Sequence, residues 1–125
     1  MHEASVMADI VDAVLAELEN YHVTRVNEVT IVVGDLTQLG EEQLLFAWEV
    51  LTDSNILKGS KLTVKHDPVM IRCAACGYDG PAKSVDFGDG LSHAIPLLSC
   101  PECGGKIEVT GGSACRIESF DIEEE

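Results

Sequence analysis

The chain has 125 residues, of which 46% are hydrophobic and only 5% aromatic. This much apolar material excludes a wholly disordered protein and predicts a core of aliphatic side chains. Eight Lys and Arg stand against 22 Asp and Glu, which gives a net charge of −14. That charge argues against partners such as nucleic acid or an anionic membrane surface, because both attract cations. It suits metal cations or a basic protein partner, although acidic surfaces also simply keep proteins in solution.

The sequence also bears on where the protein works. No apolar run reaches the roughly 18 residues that a membrane-spanning helix needs. The start of the chain carries acids where a signal peptide has Lys or Arg. We therefore expect a cytoplasmic protein, and in that reducing compartment cysteines serve as metal ligands or redox dithiols more often than as structural disulfides.

The first third of the chain predicts a helix followed by a strand. Residues 4–20 repeat apolar side chains at helical spacing, with acids on the other face. Residues 25–33 are rich in β-branched side chains and are typical of a strand. In that strand Val29, Ile31 and Val33 share one face, because side chains alternate between the two faces.

A second helix and a second strand follow. The helix is predicted over 41–52, with an apolar stripe made by Leu44, Leu45, Trp48 and Leu51. The strand is predicted over 61–66, and Pro68 ends it.

The composition changes at residue 69 and changes back after residue 110. Residues 69–110 are rich in turns and too short to build a core alone, so we expect a metal ion to hold them. The segment ACRIESFDIEE then reads as a last strand that returns to the first sheet. These elements predict an α+β fold of two helices on a three-stranded sheet, with an inserted zinc-ribbon-like module. The predicted domains are 1–68 with 111–125, and 69–110.

Four of the five cysteines form two matching C-x-x-C-G pairs, Cys73 with Cys76 and Cys100 with Cys103. We call the segments 73–77 and 100–104 the two knuckles. Each pair aims two thiolates at one point, and the Gly after it permits the tight turn of the backbone. Two such turns close a tetrahedral site of four sulfurs, which zinc accepts in structural positions and which leaves no open position for catalysis.

Other interpretations of the cysteines stay open from the sequence. A redox dithiol would need one C-x-x-C at a helix start in a βαβ setting, which the pattern lacks. An iron centre held by four thiolates is a second alternative. Cys115 stands apart on the last strand, where we expect a small buried apolar filler.

The first three residues, Met1-His2-Glu3, offer a different kind of metal site. The terminal amine, the His2 amide nitrogen and its imidazole can form two fused chelate rings, and several nitrogens near one plane favour Ni(II) or Cu(II). Glu3 can add its backbone nitrogen, its carboxylate or an outer hydrogen bond. The alternative is a frayed, solvated terminus. His93 can supply a further imidazole, or it is merely an exposed loop residue.

Several motifs occur together and in a fixed order along the chain. They are the MHE start, the segments VTIVVGDLTQL and LLFAWEVLTDSNILKGSKL, both knuckles and the closing GGSACRIESFDIEEE. In this combination the chain resembles the HypA/HybF family of hydrogenase nickel-incorporation proteins. The resemblance covers nearly the whole chain, because each motif lies in a separate part of it.

The resemblance implies a cytosolic nickel metallochaperone and not an enzyme. It implies Ni(II) as transferred cargo on His2, with Met1 and Glu3 beside it and His93 as a possible further ligand. It also implies a structural Zn(II) on the four paired cysteines. The implied partners are a HypB-type GTPase and the large-subunit precursor of [NiFe] hydrogenase.

Two rival functions share the cysteines. A zinc-ribbon protein-interaction module without metal transfer would give no role to Met1 and His2. A nucleic-acid-binding zinc ribbon is opposed by the net charge of −14 and by the lack of basic stretches around the knuckles.

Overall fold

The protein folds as the α+β arrangement that its sequence predicts, as seen in a computed structural model that describes residues 3–85 and 95–125. Two helices accompany a three-stranded sheet, and a smaller part of the chain forms further short strands. Within the described residues, no helix combines the length and the apolar character needed to cross a membrane.

The first helix, α1, spans Glu3–Leu18 and therefore ends two residues before the predicted limit. The N–H groups of Glu19 and Asn20 donate to carbonyls three residues back, at 3.3 and 3.1 Å, which tightens the chain into a turn. The buried side of α1 follows the predicted apolar spacing and comprises Met7, Ile10, Val11, Val14 and Leu18.

The second helix, α2, spans Glu41–Thr52, as predicted. Its buried side comprises Leu44, Ala47, Trp48 and Thr52. The prediction was wrong for Leu45, which is 38% exposed. Leu44 and Ala47 lie three residues apart, so the helix turns these positions to the core and carries Leu45 away from it.

Trp48 anchors α2 in this core. It is the only tryptophan of the chain and is 3% exposed. Its indole Nε1–H donates to the Ser60 carbonyl oxygen at 3.4 Å, which satisfies the one polar group of the ring.

The sheet beside the helices has the order β2-β1-β8. Its strands are β1 (Val23–Gly34), β2 (Lys61–Asp67) and β8 (Cys115–Glu124). The last strand thus returns to the first sheet, as predicted, and the structure shows that it pairs with the central strand β1.

The central strand β1 is buried on both faces towards its end. Val29, Ile31 and Val33 are at most 1% exposed, and they share one face as predicted. Val32 on the opposite face is only 4% exposed. Two-sided burial replaces the alternating pattern of a half-exposed strand with a continuous apolar run.

Contacts between Cα atoms divide the chain into two units. The first comprises Met1–Val32, Leu39–Lys65 and Arg116–Glu125, and the second comprises Val33–Gln38 and His66–Cys115. The second unit therefore includes residues 33–38, 66–68 and 111–115, which the sequence analysis placed in the larger domain. The assignment of nickel to one domain and zinc to the other stays a prediction.

Among its described residues, the second unit contains five short strands that the sequence analysis did not resolve. One sheet has the order β4-β3-β7, and both of its pairs are antiparallel. Its strands are β3 (Met70–Cys73), β4 (Asp79–Pro81) and β7 (Ile107–Gly111). A two-stranded sheet adds β5 (Ser84–Val85) and β6 (Ile95–Pro96), paired antiparallel.

The end of β1 passes very close to the chain that leads into β8. The Gly34 N–H donates to the Ala114 carbonyl oxygen at 2.8 Å, and the Leu36 N–H donates to the Gly112 carbonyl oxygen at 2.9 Å. A Cβ on Gly34 would lie 2.2 Å from the Gly112 oxygen, so only glycine fits. These bonds explain why residues 33–38 belong to the second unit.

We expect Gly34→Ala to lower the free energy of unfolding by about 1–3 kcal/mol or more, because the added methyl group meets backbone atoms that cannot move aside. Gly80→Ala is the matched control, since a Cβ there would meet only the Tyr78 side chain, with its hydroxyl oxygen at 3.1 Å. Urea denaturation followed by circular dichroism measures both. Equal stability of the two variants would contradict the close approach at Gly34.

Candidate metal centre

The four paired cysteines come together at one point in the second unit. Their sulfur atoms all lie within 4.8 Å of one another, although the two pairs are separated by more than twenty residues in the sequence. All four are free thiols. The sequence prediction that the two knuckles face each other is therefore met by the geometry.

The two knuckles are built by the same pair of backbone hydrogen bonds. In the first, the Gly77 N–H donates to the Cys73 carbonyl at 3.1 Å, and the Cys73 N–H donates to the Tyr78 carbonyl at 2.8 Å. In the second, the Gly104 N–H donates to the Cys100 carbonyl at 2.8 Å, and the Cys100 N–H donates to the Gly105 carbonyl at 3.2 Å. The repeated C-x-x-C-G sequence thus encodes a repeated local fold.

The glycine after each pair is required by the backbone conformation. Gly77 has φ +80° and Gly104 has φ +73°, both in the left-handed region that side chains disfavour. Gly105 adds a second requirement, because a Cβ there would lie 3.2 Å from the Cys103 sulfur. Glycine therefore both turns the knuckles and leaves room for the sulfurs.

The sulfur positions fit a tetrahedral metal ion. Cys73 and Cys103 are 3.6 Å apart, and Cys76 and Cys100 are 3.5 Å apart. Zinc–sulfur bonds of about 2.3 Å give a tetrahedron with edges of about 3.8 Å. In each knuckle the first cysteine is buried and the second is exposed, so the site lies at the surface of its unit.

The surroundings of the four thiols give them different pKa values. Burial opposes ionisation of Cys100, but the backbone N–H groups of Cys103 and Glu102 lower its pKa to about 7. The Glu102 N–H lies 3.4 Å from the Cys100 sulfur. For Cys76, the Tyr78 N–H favours the thiolate, yet the neighbouring thiols, Cys100 first, raise the pKa to about 12. The four thiols thus do not ionise together without a cation between them.

This arrangement narrows the alternatives left open by the sequence. The first C-x-x-C pair runs from the end of β3 into a turn, and the second runs from a loop into a turn. Neither pair lies at the start of a helix, so the setting of a thioredoxin-type dithiol is absent from them. Four thiolates in a tetrahedron suit zinc and also iron. All four ligand positions come from the protein, so a bound ion would have a structural role.

The proposed nickel ligands are only partly within the described residues. Met1, His2 and His93 lie outside them. Glu3 is the first described residue and begins α1. Its Oε2 accepts a hydrogen bond from the Gly40 N–H at 2.9 Å, which ties the start of α1 to the residue that precedes α2.

The contact between Glu3 and Gly40 was missed by the sequence analysis. Neither residue belongs to a motif that pairs them, and they are 37 positions apart. The one local signal is Gly40 itself, because its N–H is not used within α2 and needs an acceptor. Beside this contact lies a cleft of about 460 Å³ lined by Glu3, Ala4, Glu42, Gln43, Phe46 and Ala47.

Cys115 differs from the expectation of a buried filler. It lies at the start of β8 and is only partly buried, and this burial raises the pKa of its thiol. Every side chain in β8 is half-buried or exposed, so this strand offers Cys115 no fully covered position. Cys115 does not join the four-cysteine cluster.

Comparison with known proteins identifies the family of this chain. A family model described as "Hydrogenase/urease nickel incorporation, metallochaperone, hypA" matches residues 1–122. A relative from Methanothermobacter thermautotrophicus named hydrogenase maturation factor HypA is 37% identical over 124 residues, covering 98% of each chain. A protein of the same name from Methanosarcina barkeri is 33% identical over 131 residues, covering 100% of this chain and 98% of its own.

The fold has a solved counterpart as well. The solution structure of the Ni metallochaperone HypA from Helicobacter pylori superimposes with a TM-score of 0.67 at 17% identity, covering 100% of both chains. At that identity the likeness concerns the fold alone. The family match covers the N-terminal residues and both knuckles. The chain therefore belongs to the HypA family of nickel-incorporation metallochaperones, which are maturation factors and not enzymes.

Proposed function

We propose that this protein binds Ni(II) at its N-terminal Met-His-Glu and delivers it, with a GTPase partner, for the maturation of [NiFe] hydrogenase. The observation that carries the proposal is the family match over residues 1–122, which includes the N-terminus and all four clustered cysteines. Hydrogenase is preferred to urease as the target because both relatives described above are named hydrogenase maturation factors.

The nickel ligands in this proposal are the Met1 amine, the amide and imidazole nitrogens of His2, and Glu3 beside them. A site at a chain terminus exchanges ligands quickly, which suits cargo that must be released. The hydrogen bond from Gly40 supports a role for Glu3, because it holds the residue next to His2 at a fixed place on α1. His93 is proposed as a further ligand.

The four clustered cysteines hold Zn(II) in this proposal, and the ion supplies a structural staple for the second unit. Its short strands bury few large side chains; Ile71 and Cys73 are the most deeply buried of β3. A small fold of this kind gains much of its stability from a metal.

The partners proposed are a HypB-type GTPase and the large-subunit precursor of the hydrogenase. The net charge of −14 suits protein partners with basic surfaces. We place the exchange in the cytoplasm, because a cage of four reduced thiols is favoured in a reducing compartment. A zinc-ribbon interaction module without metal transfer remains the alternative to be tested.

We expect His2→Ala to abolish nickel binding at neutral pH, because it removes the imidazole nitrogen that closes the second chelate ring. His22→Ala is the matched control and should bind nickel as the native chain does. Isothermal titration with Ni(II) measures both. Unchanged affinity in His2→Ala would defeat the N-terminal site and favour the interaction module.

Three further variants locate the remaining ligands. An N-terminal extension of a few residues should abolish nickel binding and leave zinc content intact, since it removes only the terminal amine. Glu3→Gln keeps an acceptor for the Gly40 N–H but removes the charge, so retained affinity would make Glu3 a positioning residue. Unchanged affinity in His93→Ala would remove His93 from the ligand set.

We expect Cys103→Ser to lose the zinc and to lower the thermal stability of the second unit, because three thiolates and a hydroxyl bind zinc poorly. Cys115→Ser is the control and should keep one zinc per chain, since Cys115 lies outside the cluster. Element analysis of untagged protein measures the metal content. Iron in place of zinc, or equal loss in both variants, would contradict the assignment.

Zinc affinity should fall as the pH is lowered. The pKa of Cys76, about 12, and that of Cys103 are both raised, so these thiols are protonated at neutral pH in the metal-free protein. Zinc must displace their protons, so uptake releases protons and is favoured by higher pH. Calorimetry in buffers of different ionisation enthalpy should record at least these two protons per zinc; release of none would contradict the prediction.

A further inference from the structure

The outer side of α2 exposes two large apolar side chains one helical turn apart. Phe46 is 67% exposed and Val50 is 59% exposed. Residues at this spacing lie next to each other on one side of a helix. We call the surface formed by Phe46, Val50, Glu42 and Glu49 the α2 docking face.

The apolar part of this face continues into the cleft beside α1. Phe46 is part of the cleft wall, together with Ala4 from α1 and Ala47 from α2. Both helices belong to the first unit, so the cleft lies within one compact body. A ring or branched side chain from another protein would therefore find both a ridge and an adjoining depression of about 460 Å³.

The charge around the apolar side chains has one sign. The two helices together contain seven Asp and Glu and no Lys or Arg. Glu42 and Glu49 lie four residues before and three residues after Phe46, and both are exposed. Neither takes part in an ion pair within residues 3–85 and 95–125.

This charge decides between possible occupants. A second copy of the chain would bring its own acidic face against this one, and at a net charge of −14 the two copies repel each other. A partner that covers Phe46 and Val50 must instead place cations opposite Glu42 and Glu49. A helix with an apolar stripe flanked by Lys or Arg can both cover the apolar side chains and pair with the two carboxylates. Its apolar side chains recur every three or four residues, which is the spacing of Phe46 and Val50 on α2.

We propose that the α2 docking face binds an amphipathic helical segment of a partner protein, with apolar side chains on Phe46 and Val50 and Lys or Arg opposite Glu42 and Glu49. The inference deepens the proposed function, on which its biological meaning rests. Glu3 lines the same cleft, so a partner bound there reaches the start of α1, next to the proposed nickel ligands.

The test uses a synthetic Leu/Lys peptide patterned as an amphipathic helix, titrated into the full-length protein. The double variant Phe46→Gln with Val50→Gln should bind it at least tenfold more weakly, which corresponds to about 1.4 kcal/mol. Gln keeps the helix because its helix propensity is high. The control, Leu97→Gln with Leu98→Gln, changes two side chains of the second unit that are 43% and 54% exposed, and it should bind as the native chain does.

Two further arms separate apolar docking from simple charge attraction. A peptide of the same composition with its pattern scrambled should bind at least tenfold more weakly than the patterned one. The variant Glu42→Lys with Glu49→Lys should weaken binding of the patterned peptide and reduce its dependence on salt. Because these substitutions are on the surface of α2, they provide a second route should the Phe46 variant not fold.

Several results would overturn the proposal. Equal affinity for the patterned and scrambled peptides would show that binding is simple charge attraction. Equal loss of affinity in the Gln variant and its control would show the same. Self-association of the native chain that the Gln variant abolishes would make a second copy the occupant. Nickel titration of the Gln variant should match the native chain, and peptide binding should persist in His2→Ala, so that failure of the carrier function and failure of the docking face are told apart.

Discussion

The close passage of two backbone segments at Gly34 is the constraint on which the rest of the architecture depends. At this point β1 ends and its chain bonds to residues 112 and 114, just before β8 begins. A side chain at Gly34 would overlap the Gly112 carbonyl, and Gly112 itself has φ +83° with Pro68 and Val69 against it. The two ends of the segment between β2 and β8 therefore lie against each other, at Pro68 and Gly112.

The parts of the fold that sequence could predict are those governed by local rules. The limits of α2 follow from its apolar spacing, and both knuckles follow from a five-residue motif whose hydrogen bonds close within the motif or with the residue after it. The return of the last strand could be predicted because an isolated strand needs a partner. The four-sulfur cluster could be predicted for the same local reason, since each knuckle presets two thiols.

The features that could not be predicted depend on contacts between distant residues. Which side of α2 is buried was misjudged at Leu45, because helical spacing fixes a stripe but not how far the neighbouring helix covers it. The short strands of the second unit have too few residues for a periodic signal. The hydrogen bond from the Gly40 N–H to Glu3 joins positions 37 apart, and no sequence motif signals it. Each of these is decided by tertiary packing and not by propensity.

The distribution of aromatic side chains has a practical consequence. The single indole of the chain is sealed in the first unit, whereas all four clustered thiols belong to the second. Indole fluorescence and the sulfur-to-metal charge-transfer absorption of a metal bound to the cysteines would therefore arise from different units. Recording both signals on one sample distinguishes loss of metal from the four cysteines from unfolding of the unit that contains the two helices.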